Sequence, residues 1–192
     1  MSLNNNLLDM AFYSSKFEKG NNDMEIKDSG ERRKFETGAV RDIQEGKGRC
    51  DLMPLDVVGG IYSIYLGPNN IVTRTLSSIY SFQQAGDTCY LMDSISNFEF
   101  DSNWDDFESM FLDVAKHFEE GAKKYGERNW QKGIPARCYI DSAVRHLLKY
   151  ERGDDDEPHD RAFVWNLMCC IWTCIHKPEL NDYAGESSND KK

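Results

Sequence analysis

Three features of this sequence predict a mainly α-helical protein. Phe107, Phe111, Val114, Phe118 and Ala122 recur at spacings of three and four, Ile140, Val144, Leu147 and Leu148 repeat that period, and a long apolar run lies between Pro158 and Pro178. Such a period lines apolar side chains along one stripe of a helix, whereas a half-buried strand alternates with period two. At 192 residues the chain is long enough for one domain with a real core, expected over residues 35–180.

The elements follow in chain order. Residues 1–34 are rich in Asn, Lys, Glu and Gly and read as a flexible arm, and residues 181–192 read as a disordered tail of similar composition. Residues 55–104 form a β-prone insertion before the main helices. In it, Ile61–Leu66 and Ile71–Leu76 read as two strands around the turn Gly67–Asn70, with Cys89–Met92 as a further strand or short helix. The helical core spans residues 105–176. Its first helix is capped by Ser102 or Asn103 and ends at Gly126. After the break Gly133–Pro135, a second helix runs from about Arg137 to Glu151. The acidic loop Gly153–Asp156 precedes a third helix, which starts near Glu157–Pro158, where proline suits the first turn, and stops before Pro178. Apolar on almost every side, that last helix is expected at the centre of the bundle or at a subunit interface.

Composition narrows the function. Lys plus Arg total 23 against 33 Asp plus Glu, and the net charge of -10 repels a polyanion, so no nucleic-acid partner is expected. Acidic sites do attract divalent metals. The six cysteines include no CxxC pair and no zinc-like spacing, which points to a reducing, cytoplasmic compartment. No basic segment precedes an apolar stretch at the start. The run Ala162–Ile175 is too short to span a bilayer, so no membrane partner is expected either.

Several polar clusters are candidates for chemistry. Glu119 and Glu120, four residues before Lys123 and Lys124, read either as solvated i,i+4 ion pairs or as hard oxygen ligands for Mg²⁺. His159 and Asn166 are seven apart and lie on nearly one face of the third helix, where an asparagine in an apolar run needs buried partners. Asp141 and Arg145 form an i,i+4 pair. Asp141 and His146 point about 140° apart on an ideal helix, so they cannot both aim directly at one small ion. The run Asp154–Glu157 reads as a solvated loop, and Glu157-Pro-His-Asp160 spells ExxD, two carboxylates on neighbouring turns. Arg41, Lys47 and Arg49 flank small residues in a segment that is either an ordinary loop or a phosphate-neutralising one; it lacks the order of a Walker A loop. Tyr125, Asn129 and Trp130 would make an aromatic wall for a base or simply pack a helix end.

Glu36-Thr-Gly-Ala-Val-Arg-Asp42, Gly46-Lys-Gly-Arg49, Glu120-Gly-Ala-Lys-Lys-Tyr-Gly126, Asn129-Trp130, Lys132-Gly133, Asp141, Arg145-His146-Leu147, Tyr150, Gly153, His159 and Trp165-Asn166 together resemble the phage-associated dATP/dGTP diphosphohydrolase N-terminal-domain family. That family is related to the all-α MazG-like pyrophosphohydrolases, and the resemblance covers roughly residues 35–55 and 107–175. It implies a helical bundle that self-associates as a homo-oligomer in a host cytoplasm. It also implies Mg²⁺- or Mn²⁺-dependent hydrolysis of dATP or dGTP to monophosphate and pyrophosphate. On this resemblance Glu119, Glu120, Asp141 and Asp160 are metal candidates, and Glu120, Asp141, His146 and His159 are catalytic ones. Arg41, Lys47, Arg49, Lys123, Tyr125, Asn129, Trp130 and Asn166 would contact substrate. Where MazG-like enzymes carry EExxE, the third position here is Lys123. That departure keeps a non-catalytic nucleotide-binding or oligomerising module as the alternative.

Overall fold

The computed structural model describes residues 30–99 and 104–184. The expected arm up to residue 29, the caps Ser102 and Asn103, and the tail from residue 185 lie outside them. Within them the protein is mainly helical, as its apolar periodicity predicts. Its elements are β1 (Arg32–Lys34), β2 (Val40–Asp42), α1 (Leu55–Leu66), α2 (Ile71–Ala85), α3 (Cys89–Glu99), α4 (Phe107–Tyr125), α5 (Ala136–Arg152) and α6 (His159–His176). Short 3₁₀ turns at Cys50–Leu52, Asn129–Lys132 and Pro178–Leu180 complete the described chain.

The β-prone reading of residues 55–104 is corrected by three helices, α1 to α3. The β-branched runs misled because local propensity is a weak guide, and the turn between them is real. The Asn70 side chain at that turn accepts the backbone N–H groups of Val72 and Thr73, an N-cap that commits the chain to a helix. Val72, Leu76, Ile79 and Phe82 then fall at helical spacing, and all are buried.

The only sheet among the described residues is the two-stranded antiparallel hairpin β1–β2, pairing Arg32 with Asp42 and Lys34 with Val40. So small a hairpin is marginal alone, and side chains from the helical part hold it. Asn129 clamps Val40 twice, donating to its carbonyl at 2.8 Å and accepting its N–H at 3.0 Å. The Thr37 hydroxyl donates to the Gly133 carbonyl at 2.6 Å. Arg32–Lys34, at the end of the segment read as an arm, are thereby part of the packed structure.

Asp106, and not the expected Ser102 or Asn103, caps α4, accepting the Ser109 N–H at 2.8 Å, and Gly153 closes α5 in the left-handed conformation. Helix α6 packs against α3, α4 and α5, and its Phe163, Val164, Leu167, Cys169 and Cys170 are fully buried. Of its two expected places, it occupies the centre of the bundle. No helix among the described residues is long and apolar enough to cross a membrane, and all six cysteines are free.

Candidate functional site

The hairpin, the loop after β2 and helices α4, α5 and α6 enclose a cavity of about 860 Å³. That is within the range of small-molecule sites. Its position follows from the clamps described above. Asp42, at the end of β2, accepts from the Lys124 ammonium at 2.9 Å and the Tyr125 hydroxyl at 2.8 Å, which brings the strand onto the end of α4. Asp141 of α5 accepts from the Cys50 N–H at 2.6 Å, from Gln44 at 2.8 Å and from Arg145, which folds loop 43–50 against α5.

One part of the lining is basic. Arg41, Lys47, Arg145 and Lys149 all face the cavity. Lys47 makes no ion pair among the described residues, and partial burial lowers its pKa against the attraction of Asp42. Arg145 donates to the Lys47 carbonyl at 3.1 Å, so the two cations share one stretch of wall.

Another part is aromatic. Phe118 contacts both Trp130 and Trp165, with ring centroids 5.3 and 5.8 Å apart. Arg41 lies over the Tyr139 and Trp165 rings and donates to Asn166 Oδ1 at 2.8 Å. Asn166 in turn donates to the Ala162 carbonyl at 2.8 Å, so both ends of this buried amide are used.

Beside the basic stretch lies a pair of imidazoles. His146 Nδ1 and His159 Nδ1 stand 3.0 Å apart, and Glu157 Oε1 is 3.8 Å from each. The second ring nitrogen of His159 donates to Asp156 at 2.7 Å. His146, Glu157 and His159 are one group whose ligand atoms all fall within 4.8 Å, and Asp154, Asp156 and His159 are another. Desolvation holds the His146 pKa well below its ordinary value, with the nearby His159 adding to the effect.

The cavity brings together Arg41, Lys47, Tyr125, Asn129, Trp130, Asp141, His146 and Asn166 from the sequence candidates, with His159 directly behind His146. It leaves others outside its lining. Glu119 pairs with Lys123 on the surface at 2.6 Å, Glu120 pairs with Arg161 at 2.7 Å, and Arg49 pairs with Asp51 at 2.7 Å. Asp160 accepts the Arg161 N–H at 2.7 Å, and burial raises its pKa. Among the described residues, Glu119, Glu120, Asp141 and Asp160 belong to neither group able to hold a metal.

Asp156 and Glu157, which the sequence placed only in a solvated run and an ExxD spelling, line the cavity, as does His117, which the sequence did not single out. For the first two the signal was present in the acidic run, where proximity to His159 in ExxD was the clue. His117 gave none, because a histidine in an amphipathic helix is ordinary. It is buried, its Nδ1 has no hydrogen-bond partner among the described residues, and it packs on Trp165 with centroids 5.2 Å apart. Burial lowers its pKa to about 3.

Fold and site together define a mainly helical protein with a basic, aromatic-walled cavity bordered by an imidazole–carboxylate cluster. Residues 90–183 match the family described as dATP/dGTP diphosphohydrolase, N-terminal, and the resemblance drawn from the sequence holds over that stretch. The chain is also similar to a dATP/dGTP diphosphohydrolase of Salmonella phage PMBT28, 29% identical over 75 residues. That similarity covers 36% of this chain and 26% of the relative, so the chain spans about a quarter of the relative's length. No solved structure matches.

Proposed function

We propose that this protein is a metal-dependent nucleotide pyrophosphohydrolase that cleaves dATP or dGTP to the monophosphate and pyrophosphate, thereby controlling a nucleotide pool in a phage or host cytoplasm. The observation that carries the reading is the cavity in which Lys47, which makes no ion pair among the described residues, the aromatic wall and the His146–Glu157–His159 cluster meet. The family match and the phage relative support the same activity.

In this reading the triphosphate lies along Lys47, Arg145 and Lys149, whose charges offset those of the phosphate oxygens. The base stacks on Trp130 or Trp165, and the buried Nδ1 of His117 offers it a hydrogen bond. His146, His159 and Glu157 fit a divalent ion by donor type and spacing; when bound, such an ion supplies Lewis-acid stabilisation to the phosphoryl group. Asp156 and Glu157 serve as acceptors for the proton of a water attacking the α-phosphorus, while the α–β bridging oxygen leaves with pyrophosphate. Loop 43–50, pinned by Asp141, keeps Lys47 in place. The self-association implied by the resemblance finds an exposed apolar strip on α1 at Ile61, Ile64 and Tyr65.

A nucleotide-binding module without turnover is the second reading, favoured by Lys123, paired with Glu119 on the surface, at the position where MazG-like enzymes carry a third carboxylate. A panel of the eight common NTPs and dNTPs with Mg²⁺ or Mn²⁺, read by ³¹P NMR, separates the two. Pyrophosphate from dATP or dGTP, abolished by EDTA, is the expected result. Thermal stabilisation by the same nucleotides without turnover would leave the binding module.

A further inference from the structure

We infer that His146, His159 and Glu157 form a binding site for a borderline first-row transition ion (Fe²⁺, Co²⁺ or Zn²⁺) in preference to Mg²⁺. The inference deepens the proposed hydrolase reading and rests on it for the ion's role in catalysis, but the site itself stands on its own geometry.

The donor spacing is the first argument. Two nitrogens bound about 2.1 Å from one ion at a right angle stand about 3.0 Å apart. His146 Nδ1 and His159 Nδ1 are 3.0 Å apart, and Glu157 Oε1 is equally distant from both, at 3.8 Å. These donors come from three different places: the body of α5, the first residue of α6 and the loop between them. Only the tertiary packing of α5 on α6 makes them converge.

Ring orientation is the second argument. Asp156 accepts the Nε2–H of His159 at 2.7 Å, which leaves the lone pair of a neutral ring on Nδ1, directed at His146. A carboxylate on the far nitrogen is the usual way a metal-binding histidine is held. The third argument is donor chemistry. Mg²⁺ favours an all-oxygen octahedron, while imidazole favours the later ions. No group of three carboxylates among the described residues is close enough to offer that oxygen set, since both groups of possible ligands contain His159. The cluster also borders the cavity, so an ion there is accessible to a bound phosphate.

The test uses the full chain, stripped with EDTA and titrated with CoCl₂, MnCl₂ and MgCl₂ in the absence of nucleotide. The expected result is a visible Co²⁺ spectrum that saturates near one equivalent and ¹⁴N coupling in pulsed EPR of the Mn²⁺ complex. Mg²⁺ should compete only in large excess. Glu157→Gln and His146→Asn should each weaken Co²⁺ binding at least tenfold, with circular dichroism reporting their folding. Glu157→Gln decides the matter if the histidine variant unfolds, because Glu157 lies in a loop. Asp156→Asn should weaken binding by about 10–100-fold. Absence of ¹⁴N coupling, equal affinity for Mg²⁺, or an unchanged Co²⁺ spectrum in folded Glu157→Gln would overturn the inference. Co²⁺ binding without nucleotide turnover would instead sink the hydrolase reading and leave the metal site intact.

Discussion

The Asp141 carboxylate of α5 accepts the backbone N–H of Cys50 at 2.6 Å, tying the loop that carries Lys47 to the helix that carries His146. Arg145 and Gln44 occupy the rest of that carboxylate, which is 2% exposed. Asp141→Ala strips a buried charge partner from Arg145 and leaves the loop unpinned, and is expected to cost about 3 kcal/mol or more. Asp141→Asn retains an oxygen for Cys50 and should cost less. Urea denaturation of the two variants checks the order. Equal and small losses would mean that the loop is held elsewhere.

Stability should fall in mild acid because of His117. Burial, reinforced by the nearby Arg161 and Arg41 cations, keeps its pKa at about 3, whereas an unfolded histidine titrates near 6.5. Between those values the unfolded chain binds the extra proton, so folding free energy is lost as pH drops through the window and is undiminished above it. At pH 5 the loss from this one ring is about 2 kcal/mol. His117→Gln should therefore lessen the stability difference between pH 7 and pH 5 by roughly that amount, read by urea midpoints at the two pH values. His146, also pushed down by burial, keeps its own share of the slope in the variant.

Arg41 is held over Trp165 and Tyr139 and bonded to Asn166, which presets its guanidinium in the cavity. If it grips the nucleotide, Arg41→Met removes a charge-assisted bond and should raise KM for dATP or dGTP by about 10–100-fold, with a much smaller change in kcat. Steady-state kinetics decide this, and an unaltered KM would remove Arg41 from the binding wall.

Gly133 adopts φ +76°, in a region that side chains rarely enter, and its carbonyl receives the Thr37 hydroxyl. A Cβ there would stand 2.6 Å from Leu180 Cδ1 and 2.8 Å from Lys177 Cδ, both flexible side-chain atoms that can shift. Backbone strain then dominates, and Gly133→Ala is expected to cost about 1–3 kcal/mol. Differential scanning calorimetry should show Tm lowered by several degrees. An unchanged Tm would mean that the turn relaxes without loss.

The sequence by itself determined the helices α4, α5 and α6, because their apolar residues repeat at three and four and their ends carry glycine and proline signals that act locally. It also determined the overall helical class and the family resemblance. It misled over α1 and α2, where β-branched runs hid a helical period that the Asn70 cap enforces. Tertiary structure alone decided which polar residues share a site. Glu119 and Glu120 are neighbours in sequence, yet one pairs with Lys123 at the surface and the other with Arg161. His146 and His159, thirteen residues apart, meet at 3.0 Å because Gly153 ends α5 and the acidic loop turns the chain back on itself. Side-chain chemistry is written along the chain, but convergence depends on how helices pack, and packing is set by contacts far apart in sequence.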